Sequence, residues 1–194
     1  MSIAPSSYPF ALEIDGPAKQ GRLSILLRYF YAIPFFIALG FLQLGAAIVG
    51  FVAFSVILFT GKYPPSLRAF ATDVVRWQIR GAAYTMLLTG AYPPFAMGDV
   101  EDYPIRLIGE GQLEGRNRLT TLFRYIIIIP HLVVLFFIAM VGFFLLFFGW
   151  LAAIFTGSLP EAIHNFLAGQ LRWTERVTTY AALLTDDFPP FSMK

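Results

Sequence analysis

Residues Arg28–Gly61 read RYFYAIPFFIALGFLQLGAAIVGFVAFSVILFTG. From Tyr29 to Phe59 they hold 31 consecutive uncharged positions, most of them bulky and apolar. The same pattern returns 96 positions later as RYIIIIPHLVVLFFIAMVGFFLLFFGWLAAIFTG, Arg124–Gly157. All 14 Lys/Arg and all 12 Asp/Glu of the 194-residue chain lie outside 29–59 and 125–157. A charge at the centre of a bilayer costs several kcal/mol, so this segregation points to lipid as the solvent of both blocks.

Composition agrees. Hydrophobic residues make up 57% of the chain and charged ones 13%, against roughly 25% charged in soluble domains. The 21 phenylalanines suit lipid-facing and interfacial positions. A net charge of +2 is too small to suggest nucleic acid. The absence of cysteine excludes thiolate metal sites, thiol nucleophiles and disulfides. Residues 1–7 are polar and read as loose. MSIAPSSYPFALEIDG lacks the basic start and short apolar core of a cleaved signal, so the first block reads as retained in the membrane.

Length decides how each block meets the bilayer. Leu23–Phe59 is 37 residues, about 55 Å as one straight helix, whereas the hydrocarbon core is about 30 Å. Pro34 and Pro130 occupy matching positions and favour a kink or break. Two readings remain. One has an interfacial helix up to Pro34 and then a single tilted span over 35–59. The other is a tight hairpin turning near Gly40–Gly45 and Ala139–Gly142. A single crossing per copy would invert the second copy. It would set Lys19, Arg22, Arg28, Arg172, Arg176 and Lys194 opposite the other eight basic residues. The hairpin keeps all of them on one side, as the positive-inside rule favours, so it is the expected arrangement. The turn region lacks Pro, Asn and Asp, which counts against it.

Around the blocks the periodicity changes. Phe10, Leu12 and Ile14 alternate in YPFALEID, and Ile105 and Leu107 alternate in YPIRLIGEG, which predicts two short extended segments. FTGKYPP and FTGSLP are turn-like exits. Helices follow over Ser66–Thr89 and Glu161–Thr185, apolar at three- and four-residue spacing and with arginines on another face. They read as amphipathic and interfacial. The predicted class is mainly α and integral to the membrane, with about four membrane helices. Its divisions are repeat 1 (8–97), an acidic linker (98–102) and repeat 2 (103–193).

Without a gap, Arg28–Met97 and Arg124–Met193 share 23 identities in 70 positions, the mark of a tandem duplication. The identities cluster at the edges of the blocks: Arg28/Arg124, Pro34/Pro130, the FTG triplet, Arg76-Trp77/Arg172-Trp173, Arg80/Arg176, Tyr84/Tyr180, LLT and PPF. In this pattern the chain resembles a bacterial membrane-protein family catalogued as domain of unknown function 4389. The motifs that carry the resemblance are Tyr8-Pro9 and Leu12, Phe59 to Pro64, Arg76-Trp77 and Leu87 to Phe95 in the first copy. The second copy matches through Tyr103-Pro104, Phe155-Thr156-Gly157, Arg172-Trp173 and Leu183 to Phe191. It departs at Ser158-Leu159 and has Phe188 for Tyr92. The resemblance implies the architecture and a bacterial membrane; the positive-inside rule makes the polar segments and termini cytoplasmic. It implies no activity.

Candidate residues follow from type and place. Arg76, Arg80, Arg172 and Arg176, with Trp77 and Trp173, would contact lipid headgroups; Asp73–Arg76 and Arg172–Glu175 would alternatively form i,i+3 pairs. Arg28 and Arg124 are embedded in apolar sequence and would snorkel to the headgroups. Gly40, Gly45, Ala46 and Gly50 would let another helix approach closely. His131 is the one histidine in a block and a weak candidate cofactor ligand, but its counterpart is Phe35. No catalytic motif and no cofactor is predicted. The blocks contain no acidic residue of the kind proton relays and ion carriers use. The expectation is a non-enzymatic accessory or structural subunit, with lipids and other membrane-protein subunits as partners. A lipid- or hydrophobic-cofactor-binding protein and a small transporter are the alternatives.

Overall fold

The computed structural model describes residues 8–194; the expectation of loose structure at 1–7 lies outside them. Extended strand β1 (Phe10–Ile14) is followed by a short helix α1 (Arg22–Leu26), the long α2 (Arg28–Thr60) and α3 (Pro65–Thr85). The second copy repeats this order as β2 (Ile105–Gly109), α4 (Arg118–Ile127), α5 (Ile129–Thr156) and α6 (Glu161–Ala181). The chain is mainly helical, and α2 and Arg118–Thr156 are long and apolar enough to cross a membrane.

The expected hairpin within each block is not formed. α2 runs unbroken through Gly40–Gly45, and α5 through Ala139–Gly142. Neither stretch holds a residue that would stop a helix, and continuous hydrogen bonding satisfies every backbone group without a turn. The other reading is nearer. The break falls upstream of the prolines, at Leu27 between α1 and α2 and at Ile128 between α4 and α5. Pro130 then sits in the first turn of α5, where its missing N–H costs nothing. The exits were legible: Gly61 and Gly157 cap α2 and α5 with φ of 71° and 80°, the left-handed conformation that glycine adopts freely.

Hairpins do form, but between an apolar helix and its amphipathic successor. Arg28 reaches Tyr84, Phe35 stacks on Trp77 and Gly45 meets the Phe70 ring, so α3 runs antiparallel along α2. His131 meets Trp173, Gly142 meets Gln170 and Gly149 meets Ile163, so α6 does the same along α5. α3 and α6 then pack on each other.

The copies interlock. β1 and β2 pair antiparallel, with Phe10 facing Gly109, Leu12 facing Leu107 and Ile14 facing Ile105. Leu107 is the counterpart of Leu12, so the ladder is centred on a pseudo-twofold axis. The other contacts obey it. β1 packs on α6 and β2 on α3; α1 packs on α5 and α4 on α2. The Gln20 N–H donates to the Gly157 carbonyl at 2.7 Å, and the Arg116 N–H to the Gly61 carbonyl at 3.1 Å. One hydrophobic core, from Phe10 through Ile57 and Ala83 to Ala153 and Leu184, runs through both copies.

The packing glycines differ from those expected. A Cβ at Gly40 or Gly50 would meet nothing within 4 Å, and Gly45 faces Phe70 of its own copy; Ala46 is half-buried. Close approach occurs in the second copy, where a Cβ on Gly142 would collide with the Gln170 carboxamide. Gly142→Val is therefore expected to destabilise the fold by about 1–3 kcal/mol through overpacking, while Gly40→Val is nearly neutral. Thermal unfolding in detergent checks this; equal shifts for the two variants would contradict the packing.

Candidate functional site

The residues kept by both copies converge on the C-terminal ends of α3 and α6. After each helix the chain passes through LLT with a leucine in the left-handed region, Leu87 at φ 59° and Leu183 at φ 64°. The Leu88 and Leu184 N–H groups reach five residues back to the Ala83 and Thr179 carbonyls at 3.0 Å. This helix stop normally uses glycine, and a side chain there costs of order 1–3 kcal/mol. An arginine holds the loop closed. Arg28 is fully buried and donates to the carbonyls of Tyr84 at 3.3 Å and Thr89 at 2.7 Å. Arg124, also fully buried, donates to the carbonyls of Tyr180 and, at 2.7 Å, Thr185. Each guanidinium lies 4.2 Å from the ring centre of its tyrosine, Tyr84 or Tyr180.

Arg28 and Arg124 thus turn inward, and the expectation of snorkelling is corrected. The carbonyls freed at a helix end are acceptors within reach, and charge-assisted bonds to them are stronger than neutral ones.

The two latches use different side-chain partners. In copy 2 Asp186 accepts from Arg124 and also from Arg116, whose Nε lies at 3.1 Å. Arg116 in turn donates to the Leu183 carbonyl at 2.6 Å. Copy 1 has Gln20 where copy 2 has Arg116, and Gly90 where it has Asp186. There the Gln20 Oε1 accepts from Arg28 and its Nε2 donates to the Leu87 carbonyl at 2.8 Å. One neutral glutamine thus stands where copy 2 has an ion pair, and Arg28 is held by hydrogen bonds.

The next pair of arginines fixes the proline tails. Arg80 donates to the carbonyls of Ala96 at 2.9 Å and Gly98 at 2.6 Å, and the Trp77 indole donates to the same Ala96 carbonyl at 2.8 Å. Arg176 holds the carbonyls of Ser192 and, at 2.8 Å, Lys194. The tails complete two equivalent aromatic boxes. Phe35, Trp77, Tyr84, Tyr92 and Phe95 form the first. His131, Trp173, Tyr180, Phe188 and Phe191 form the second. His131 therefore takes the place of a phenylalanine. It stacks on Phe191 with ring centres 3.8 Å apart, and its Nδ1 accepts the Trp173 indole proton at 3.0 Å. No metal-holding group of three or more His, Cys, Asp or Glu occurs among the described residues.

Of Arg76, Arg80, Arg172 and Arg176, the first and third are not tied to a tail. Arg76 pairs with Asp73 at 2.9 Å, as the spacing suggested. Arg172 instead donates to the Leu12 carbonyl of β1 at 3.3 Å, and Glu175 is buried beside Arg176. Arg68, Asp73, Arg76 and Glu110 line a cleft of about 190 Å³ beside Gly111, whose carbonyl accepts from Arg68 at 2.7 Å.

Residues 22–97 and 118–193 each match the model of a family described as a domain of unknown function, DUF4389. The chain belongs to the DUF4389 family. No curated protein and no solved structure matches it. Each DUF4389 match begins at the short helix α1 or α4 and ends at the proline tail, so it contains one latch arginine, one helix stop and one aromatic box. Both strands lie outside the matched regions.

Reasoning from identities missed Gln20, Arg116 and Asp186, because none is shared between the copies; Glu175 was expected to pair with Arg172 and instead lies beside Arg176. The signal was present for the first three: positions 20 and 116 are 96 apart, as are 90 and 186, and both pairs change together. Asp186→Ala should leave Arg124 and Arg116 buried without a counter-charge and cost about 3–5 kcal/mol. Denaturant unfolding measures it, and a loss under 1 kcal/mol would show that the pair is dispensable.

Glu175 gives a pH dependence. Burial pushes its carboxyl up to about 8, which Arg176 and the Thr179 hydroxyl only partly offset, and one carboxylate oxygen has no partner. The fold therefore favours the protonated form. Its contribution is most favourable below the unfolded value of about 4.3 and is lost as pH rises towards 8. The melting temperature should fall between pH 5 and 8.5, and Glu175→Gln should flatten that slope. Parallel slopes in the two proteins would contradict this.

Proposed function

We propose that the protein is a non-enzymatic membrane protein, an accessory or structural subunit that sits in the bilayer through its apolar helices and packs against other membrane-protein subunits. The observation that carries this reading is the distribution of exposed apolar side chains. Of the 40 large hydrophobic residues exposed among the described residues, 34 lie on α1, α2, α4 and α5, and none on α3 or α6. α4 is inside out by the standards of a water-soluble helix. Leu119, Leu122, Phe123 and Ile126 face outward while Thr121 and Arg124 are buried. Such a surface is far larger than the apolar patches that soluble monomers expose, and lipid or partner helices are its natural cover.

The polar groups shared by the two copies support a structural role. The guanidinium groups of Arg28, Arg80, Arg124 and Arg176 bond to carbonyls of their own chain, which ties them to its fold. A bacterial cytoplasmic membrane is proposed from the family resemblance and the uncharged blocks. The cleft beside Arg68 and Arg76 favours one second reading, a protein that binds anionic headgroups there, although Asp73 and Glu110 share its lining.

Two measurements test the main reading. Alkaline carbonate extraction of native membranes should leave the protein in the pellet, and release into the supernatant would count against membrane embedding. Native mass spectrometry from mild detergent should then show a complex with at least one other membrane polypeptide. Monodisperse protein without a partner would contradict the accessory role; co-purified anionic lipid lost on Arg76→Ala would favour the second reading.

A further inference from the structure

We propose that α2 and α5 do not cross the bilayer but lie along it within one leaflet, with the body of α3, α6 and the two-stranded sheet on the headgroup side. This rests on the membrane-embedded reading above and specifies its geometry.

The first argument is that the polar body accompanies α2 over its length. Arg28 is tied to Tyr84 and Thr89, Phe35 stacks on Trp77, Gly45 meets Phe70, and Ile57 joins the core that contains Tyr63. α5 is likewise held from His131 to Gly149. The accompanying elements are charged. The Asp73–Arg76 pair lies midway along α3, and the Glu13–Arg106 pair, 40% exposed on both sides, lies on the sheet. Were α2 perpendicular to the membrane, these pairs would stand at the depth of the hydrocarbon core, where charges are strongly disfavoured.

The second argument is length. Phe30, Ile37, Phe41, Ile48 and Phe59 are spaced 7, 4, 7 and 11 residues apart, which at 3.6 residues per turn puts them along one line. They are among the most exposed residues of α2, from 59% at Ile37 to 78% at Phe59. The line runs 29 residues, about 44 Å, beyond the roughly 30 Å that a hydrocarbon core covers. A helix lying in the plane has no such limit. α2 alone is apolar all round, so the amphipathic unit is the α2–α3 hairpin, which presents apolar helix to lipid and charged helix to headgroups.

The third argument is symmetry. The copies are related by the pseudo-twofold through Leu12 and Leu107. Crossing helices would make that axis parallel to the membrane, invert copy 2 and divide the basic residues between opposite sides. In-plane helices make it the membrane normal. Both copies then present the same face to one leaflet, and all basic residues stay on the other side, as the positive-inside rule favours.

Because the chain has no cysteine, single cysteines at Phe30, Phe41, Ile48 and Phe59 can each carry a nitroxide. The labelled proteins would be reconstituted in liposomes of phosphatidylcholine with phosphatidylglycerol. Paramagnetic quenching by oxygen and by a water-soluble nickel chelate then gives four depths. We expect all four at a similar shallow depth, about 5–10 Å below the headgroups. A profile with Phe41 and Ile48 near the bilayer centre and Phe30 and Phe59 near opposite surfaces overturns the in-plane arrangement and leaves membrane embedding intact. Four labels fully open to the nickel chelate overturn both. Retained helicity by circular dichroism shows that each variant is folded.

Discussion

A buried guanidinium needs acceptors, and much of this fold depends on where Arg28 and Arg124 find them. Each enters from the start of a long apolar helix and finds the carbonyls released where the next helix ends. That contact closes the hairpin of apolar and amphipathic helices and holds a leucine in a left-handed conformation that it would otherwise leave. A buried charge left without acceptors would be destabilising by several kcal/mol, so the loop that supplies them is constrained as tightly as the arginine. Copy 2 adds an aspartate and a second arginine, whereas copy 1 manages with a glutamine and the space left by a glycine.

Duplication then becomes a structural device. Neither copy contains its own sheet; each provides one strand of a pair that exists only between them, and each short helix packs on the long helix of the other. The result leaves large apolar groups outside along four of its helices while Arg28, Thr121, Arg124 and His131 are buried. In water such an object would aggregate. In lipid the same distribution is stable, because every backbone group of the outward helices is bonded internally.

Much of this was legible in the chain. The 96-residue repeat, the glycine exits, the two alternating segments and the amphipathic helices all carry local signals: periodicity, a left-handed cap, a proline at a helix start. What was not legible is where polar side chains point. A lone arginine in apolar sequence reads as snorkelling, since the carbonyls that hold Arg28 lie 56 and 61 residues away. The hairpin expectation failed for a related reason. Charge balance called for both ends of each block on one side, and the reading sought the turn inside the block. The chain places it after the block, at Gly61 and Gly157, and lets the amphipathic helix return. His131 read as a ligand candidate because its ring partners, Trp173, Phe188 and Phe191, are distant in sequence.

The central claim is that α1, α2, α4 and α5 face lipid while the arginines shared by the two copies close the interior behind them. The most direct test is carbene photolabelling from a probe dissolved in the acyl-chain region of proteoliposomes, with modified residues located by peptide mass spectrometry. The account predicts adducts at outward positions such as Phe41, Phe51, Phe123, Phe143 and Phe155, and none on α3 or α6. Adducts on Trp77, Arg80, Trp173 or Arg176, or an absence of adducts on α2 and α5, would contradict it.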